Sequence, residues 1–181
     1  MSGVQSEKAP AISAEGLRLT FSSPTGGKVG VGTAPGGLTF EVEQGEIFGV
    51  IGPDGAGKTT LFRLLCSLML PESGTARVVG YDVVKDYKAL RQVVGYMPGT
   101  FSLYPDLSVE ENLNFFATIF NTTIAEKYDQ IKDIYSQIEP FKHRKAKSLS
   151  GGMKQKLALS SALIHSPEIL FLDEPTTGID P

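Results

Sequence analysis

Three observations predict an α/β fold with a buried parallel sheet. The run Ile47-Phe48-Gly49-Val50-Ile51 is apolar on both faces, as an interior strand of a parallel sheet must be. It feeds a glycine-rich loop and then a helical apolar pattern. A second apolar run, Ile169-Leu170-Phe171-Leu172, ends in Asp173 and Glu174, placing charge at the C-terminal edge of a sheet, where open α/β folds bind ligands. Between the two, residues 98–148 carry helical periodicity.

The remaining elements follow in order. Ala11 to Phe21 reads as a strand in which Ile12, Leu17, Leu19 and Phe21 partly alternate. Residues 22–37 are crowded with Gly, Pro, Ser and Thr, a loop around the short extended piece Lys28 to Val31. Leu38 to Val42 alternates at period two, as a half-buried strand does. A helix is expected from Gly57 to about Met69, with Cys66 on its packed face, then a turn at Pro71-Glu72-Ser73-Gly74. Thr75 to Val79 and Val93 to Tyr96 read as strands. Ser108 followed by Glu111 is a capping box opening a helix with Val109, Leu113, Phe116 and Phe120 at helical spacing. A second amphipathic helix carries Ile124, Tyr128, Ile131, Ile134, Tyr135 and Ile138. A helix from Ser150 to about His165 precedes the last strand, Glu168 to Asp173.

Composition narrows the function. The 181 residues fit one domain, and 41% hydrophobic with 20% charged residues is ordinary for a globular protein. A net charge of -3 gives no basic field of the kind that grips nucleic acid. One cysteine excludes an internal disulfide framework. No run approaches the roughly 20 apolar residues of a membrane span, so any membrane connection is expected to come through a partner.

Gly52-Pro53-Asp54-Gly55-Ala56-Gly57-Lys58-Thr59 matches the phosphate-binding P-loop in full, between an apolar strand and a helix. Glycines let the backbone turn sharply and approach phosphate oxygens with no Cβ in the way. The amides from Gly55 to Thr60 point inward at a helix N-terminus, whose dipole favours an anion. Lys58 supplies a full charge for the β- and γ-phosphates, and the Thr59 hydroxyl a ligand for Mg2+. Asp173 is expected to hold Mg2+ through a water, and Glu174 to reach the water that attacks the γ-phosphate. Mg2+ retains several waters, so one carboxylate and one hydroxyl suffice.

Leu149-Ser150-Gly151-Gly152-Met153-Lys154-Gln155-Lys156 is a second glycine-bearing helix start, with Ser150 as cap, and it resembles the signature sequence of ABC ATPases. Glu174-Pro175-Thr176-Thr177-Gly178-Ile179-Asp180 resembles the family's acidic-strand exit and D-loop. The resemblance covers the chain from about Ala11 onward. It implies a P-loop NTPase (RecA-like) parallel-sheet core with an N-terminal antiparallel β subdomain, in residues 1–97 and 149–181, and an inserted helical subdomain, residues 98–148. It further implies that Ser150, Gly151 and Gly152 face ATP held by a second ABC ATPase domain, in a homo- or heterodimer, and that Asp180 lies near that partner. Phe21 stands where the family places an aromatic against adenine; a strand-end core Phe is the competing reading. The wording of Tyr96-Met97-Pro98, Phe101-Ser102-Leu103-Tyr104 and Leu107 to Leu113 resembles the ABC-2, multidrug-efflux export type. That implies Mg-ATP hydrolysis coupled to transport by a membrane-spanning permease, with the ATPase peripheral on the inner, cytoplasmic face.

Two departures qualify the resemblance. The family has a glutamine touching Mg2+ after the Tyr-Met-Pro stretch, whereas this chain has Gly99, which predicts weaker metal-linked coupling. The family also continues past the position of Pro181 to a histidine on the γ-phosphate. His143 and His165 stand at the wrong places to replace it, and His143 falls in the solvated basic run Lys142 to Lys145. The expectation is a C-terminally truncated cassette that binds ATP and hydrolyses it poorly. The alternatives are a soluble ABC ATPase acting on ribosomes or DNA and a nucleotide-binding regulatory module that does not turn over. Translation-type members carry Asn-His-Leu in place of Thr177-Gly178-Ile179, and chromosome-type members carry long coiled coils.

Overall fold

The computed structural model describes residues 9–22, 27–100 and 102–175. The chain forms two compact units that divide between Arg91 and Gln92.

The first unit is an antiparallel sheet with one helix. Its strands are β1 (Ile12–Ser22), β2 (Lys28–Val31), β3 (Leu38–Val42), β4 (Ser73–Val78) and the two-residue β5 (Tyr81–Asp82). The long β1 is the hub: β4 takes part of its length, while β3 and β2 pair along its first and last portions. Both the β3 and β4 ladders shift register around Gly16, whose φ of 58° lies in the left-handed region, so one bulge bends the hub strand. Ile12, Ala14 and Leu17 of β1 are buried with Val42, Ala76 and Val78.

The segment Ile47 to Ile51 corrects the sequence expectation. It joins no sheet among the described residues; Ile47 is 100% and Ile51 97% exposed. Phe48 only stacks on Phe40, with ring centroids 5.8 Å apart. An apolar run declares that it should be buried but not by which neighbour, and the hub strand already spends its pairing on β2, β3 and β4.

Helix α1 (Lys58–Leu65) ends a turn earlier than the apolar pattern suggests. Ser67 turns left-handed at φ 54°, and the Leu68 and Ser67 amides donate back to Arg63 O (2.7 Å) and Leu64 O (3.0 Å), a Schellman closure without glycine. Arg91 fixes this end by donating to Ser67 Oγ at 3.1 Å and to its carbonyl at 2.5 Å. Cys66 packs in the core as expected, and burial pushes its thiol far above the usual range. Helix α2 (Tyr87–Val93), which spans the division, was not foreseen: it buries only Leu90, too little for a periodic signal.

The second unit holds β6 (Val94–Met97), α3 (Val109–Ile119), α4 (Ile124–Tyr135), two short 3-10 turns, α5 (Gly151–Leu163) and β7 (Ile169–Leu172). Helices α3 and α4 each open with a capping box, Ser108 with Glu111 and Thr123 with Glu126. Their apolar faces meet α5 in a core that includes Leu113, Ile131, Tyr135, Ile138 and Leu157. The basic run contributes its backbone here: the Arg144 and Lys142 carbonyls accept from the Val109 and Glu110 amides at 3.0 Å. His143 itself is exposed, 3.6 Å from Glu110. Asn112, fully buried, accepts from the Tyr104 amide at 2.9 Å and donates to Tyr104 O and Ser108 O, which fixes the loop ahead of α3. Strands β6 and β7 run parallel, pairing Val94 with Ile169 through Met97 with Leu172. Their C-terminal ends therefore share one edge.

Candidate functional site

The glycine-rich loop belongs to the first unit. It leaves Ile51 at Gly52 and closes a turn in which the Ala56 amide donates to Pro53 O at 3.1 Å. A Cβ at Gly52 would come to 3.3 Å from the Ala56 Cβ, so the inside of the loop is a cradle that a side chain would fill. Gly57 starts α1 at φ 93°, and a Cβ there would lie 2.6 Å from the Gly30 carbonyl of β2. Conformation and close approach thus both demand glycine. No side chain caps α1 and no acidic residue stands in its first turn. Its amide end, where Thr59 and Thr60 lie, therefore keeps the polarity that attracts an anion.

Lys58 folds back over this loop. Its Nζ donates to Gly52 O at 2.7 Å and Pro53 O at 3.0 Å, which holds the ammonium at the mouth of the cradle. Asp54 lies 3.9 Å from Nζ but is wholly exposed, so the ion pair contributes little. A pocket of about 300 Å3 opens beside the loop, bordered by Gly30, Gly32, Ala34, Val50, Gly57 and Lys58. The cradle and the ammonium fit a phosphate chain. Phe21 lies near the end of β1 opposite Val29, and is 42% exposed, as a ring available to a ligand would be.

The acidic pair lies at the β6–β7 edge of the second unit. Asp173 is 3% exposed; its amide donates to Met97 O at 2.9 Å and its Oδ2 accepts from the Tyr96 hydroxyl at 3.3 Å. Glu174 is exposed and turns left-handed, at φ 51°. Gly99 packs against this turn: a Cβ there would meet Asp173 O at 3.1 Å and Glu174 Cβ at 3.4 Å. The missing glutamine is therefore matched by a backbone that comes close to the acidic exit. Among the described residues no group of three or more His, Cys, Asp or Glu could hold a metal. Thr59 in the first unit and Asp173 in the second each carry a hard oxygen donor of the kind Mg2+ takes.

The second helix start also lies in the second unit. Ser150 caps α5 by accepting from the Met153 amide at 3.3 Å, and a Cβ at Gly152 would meet nothing within 4 Å. Ser150 and Gly151 are exposed, so this end offers an open polar surface. Asp180, with residues 176–179, and Phe101 lie outside the described residues.

The model of the family described as "ABC transporter" matches residues 36–177. The chain belongs to the ABC transporter family. A probable multidrug ABC transporter ATP-binding protein, YbhF, of Escherichia coli (strain K12) is 46% identical over 146 residues, 80% of this chain and 25% of the relative. The Nod factor export ATP-binding protein I of Paraburkholderia xenovorans (strain LB400) is 39% identical over 151 residues, 82% of this chain and 50% of the relative. The chain thus spans half or less of the length of these relatives. A solved ATP-binding subunit of an ABC transporter superposes with a TM-score of 0.76 and 28% identity, over 94% of this chain and 69% of its own. The fold is therefore the α/β P-loop fold of ABC ATPases, and the curated relatives are ATP-binding proteins, one of a multidrug ABC transporter and one of Nod factor export.

Sequence reasoning missed two contributors to these ABC motifs. Gly30 makes room for Gly57 from 27 positions upstream, and Tyr96 reaches Asp173 across 77. The Gly30-Val31-Gly32 spelling could have flagged the first. Nothing local flags the second.

Proposed function

We propose that this chain is the nucleotide-binding part of an ABC exporter ATPase, coupling ATP binding and hydrolysis to transport by a membrane-spanning permease. The observation that carries it is the P-loop geometry: a glycine-built cradle with the Lys58 ammonium held at its mouth, in a chain of this family. In this reading Gly52 to Thr60 bind the phosphates, Phe21 stacks on adenine, and Thr59 and Asp173 would each supply an oxygen toward Mg2+. When bound, Mg2+ neutralises charge on the phosphate oxygens. Glu174 accepts a proton from the attacking water, while Lys58 and the loop amides stabilise charge on the transferred phosphoryl group.

Ser150, Gly151 and Gly152 would face ATP on a second ABC ATPase domain, with Asp180 at that interface. Residues 98–148 form the helical subdomain that docks on the permease, the remainder being the catalytic core. The exposure of Tyr104 (47%) and Phe115 (38%), in edge contact at 4.8 Å, supports this docking face. The export direction is supported by the name of the Nod factor export relative. Among the described residues no helix is long and apolar enough to cross a membrane, which fits a peripheral place at the inner face.

Calorimetry with Mg-ATP tests the reading. Binding is expected, with a loss of at least about tenfold in Lys58→Ala, because charge-assisted hydrogen bonds contribute about 1.5–3 kcal/mol. A folded protein that ignores Mg-ATP, or a Lys58→Ala variant that binds as well as wild type, overturns it. Gly99 favours a second reading, a module that binds nucleotide without turning it over, since no side chain there can reach Mg2+. Binding without hydrolysis in the whole protein would select that reading.

A further inference from the structure

We propose that Tyr96 is a positioning residue for the metal carboxylate, orienting Asp173 from the neighbouring strand. The inference rests on the assignment of Asp173 to Mg2+ given above. Three contacts join the exits of β6 and β7. The Asp173 amide donates to Met97 O at 2.9 Å, the Tyr96 hydroxyl donates to Asp173 Oδ2 at 3.3 Å, and Gly99 lies against the Asp173 carbonyl. The first and third fix the backbone; neither sets the rotation of the carboxylate. The phenol acts on that rotation by donating to one carboxylate oxygen, Oδ2.

The sequence at Gly99 makes this contact more consequential. Gly99 itself has no side chain to turn toward the acidic exit, whereas Tyr96 brings a hydroxyl from the neighbouring strand. Asp173 is 3% exposed, so water has little access to replace a lost donor. Partners that orient a metal-binding carboxylate commonly change metal affinity by about 10–100-fold when removed. At 3.3 Å the hydrogen bond is long, which places the expectation at the lower end.

The test is Tyr96→Phe in the whole protein, which keeps the ring and removes only the hydroxyl. Mn2+ is titrated by electron paramagnetic resonance onto protein saturated with a non-hydrolysable ATP analogue, and analogue affinity is measured separately in EDTA. The expected result is Mn2+ affinity about tenfold weaker, with metal-free nucleotide affinity unchanged. In an Asp173→Asn background the same substitution should have no further effect on Mn2+. Unchanged Mn2+ affinity in a folded Tyr96→Phe overturns the inference, as does an equal loss in EDTA or full additivity with Asp173→Asn. These outcomes leave the parent reading intact if wild type binds Mg-ATP. If it does not, or if Lys58→Ala binds normally, the parent reading fails first.

Discussion

The P-loop, at the start of α1, and the acidic exit of β7 are both polar sites, but they are built in different ways. The loop is made of backbone: glycines that admit its conformation, a turn from Ala56 to Pro53, and a lysine tied to two carbonyls within six residues of itself. The acidic exit is made of reach: Tyr96 and Gly99 arrive from more than 70 positions upstream to meet Asp173. A backbone-built site tolerates almost no change at its glycines. A site built by side-chain contacts should yield by degrees.

The sharpest way to break this contrast is Gly57→Ala. Left-handed backbone at a non-glycine residue costs about 1–3 kcal/mol, and the new Cβ would also collide with the Gly30 carbonyl at 2.6 Å. The expected outcome is a loss of about 3 kcal/mol or more in denaturant unfolding, with ATP binding abolished in calorimetry. A stable, ATP-binding Gly57→Ala would mean the loop is held by something other than its main chain.

The same contrast explains what the sequence made legible. Gly52 to Thr59, the Ser108 capping box and the Ser150 cap were all readable because each is fixed within a few residues. The run Ile47 to Ile51 was misread because hydrophobic pattern encodes a wish for burial without naming the neighbour. The end of α1 was missed because it depends on Arg91 holding Ser67 from 24 positions away. The strand ending in Asp173 and Glu174 was legible from its four apolar residues, but the Tyr96 contact to Asp173 was not, since no local pattern links them.

An intermediate effect is expected at His165, another distant anchor of β6. Its Nε2 donates to Val94 O at 3.1 Å, its ring stacks on Phe120 at 3.9 Å, and its Nδ1 is buried with no hydrogen-bond partner. Burial holds its pKa below the ordinary value of about 6.5; the Val94 carbonyl opposes this, and Lys127, which donates to the adjacent Ser166 Oγ, adds to it. The neutral imidazole is thus the form the fold accepts. Its contribution is present above pH of about 6.5 and is lost as pH falls through the depressed folded value. Melting temperature should fall between pH 7 and 5, and the fall should be shallower in His165→Phe, which stacks without titrating. Identical slopes would remove His165 from the acid response.

The smallest effect is expected at Gly99, and here two substitutions separate what one would confound. A Cβ at 99 would lie 3.1 Å from the Asp173 carbonyl, close enough that the acidic turn must yield by a few tenths of an ångström. Gly99→Ala should therefore cost about 1 kcal/mol or less in unfolding, at the mild end of overpacking, and slow ATP turnover slightly by moving Glu174. Gly99→Gln carries the same Cβ and adds an amide able to reach Mg2+. The difference between the two variants in turnover and Mg2+ dependence isolates the amide from the steric cost. If glutamine outperforms alanine, metal-linked coupling through this loop is limited by one side chain. If they are equally impaired, the backbone has already settled into an arrangement that the amide cannot use, and the close approach of Gly99 to Asp173 is part of how this chain holds its acidic exit.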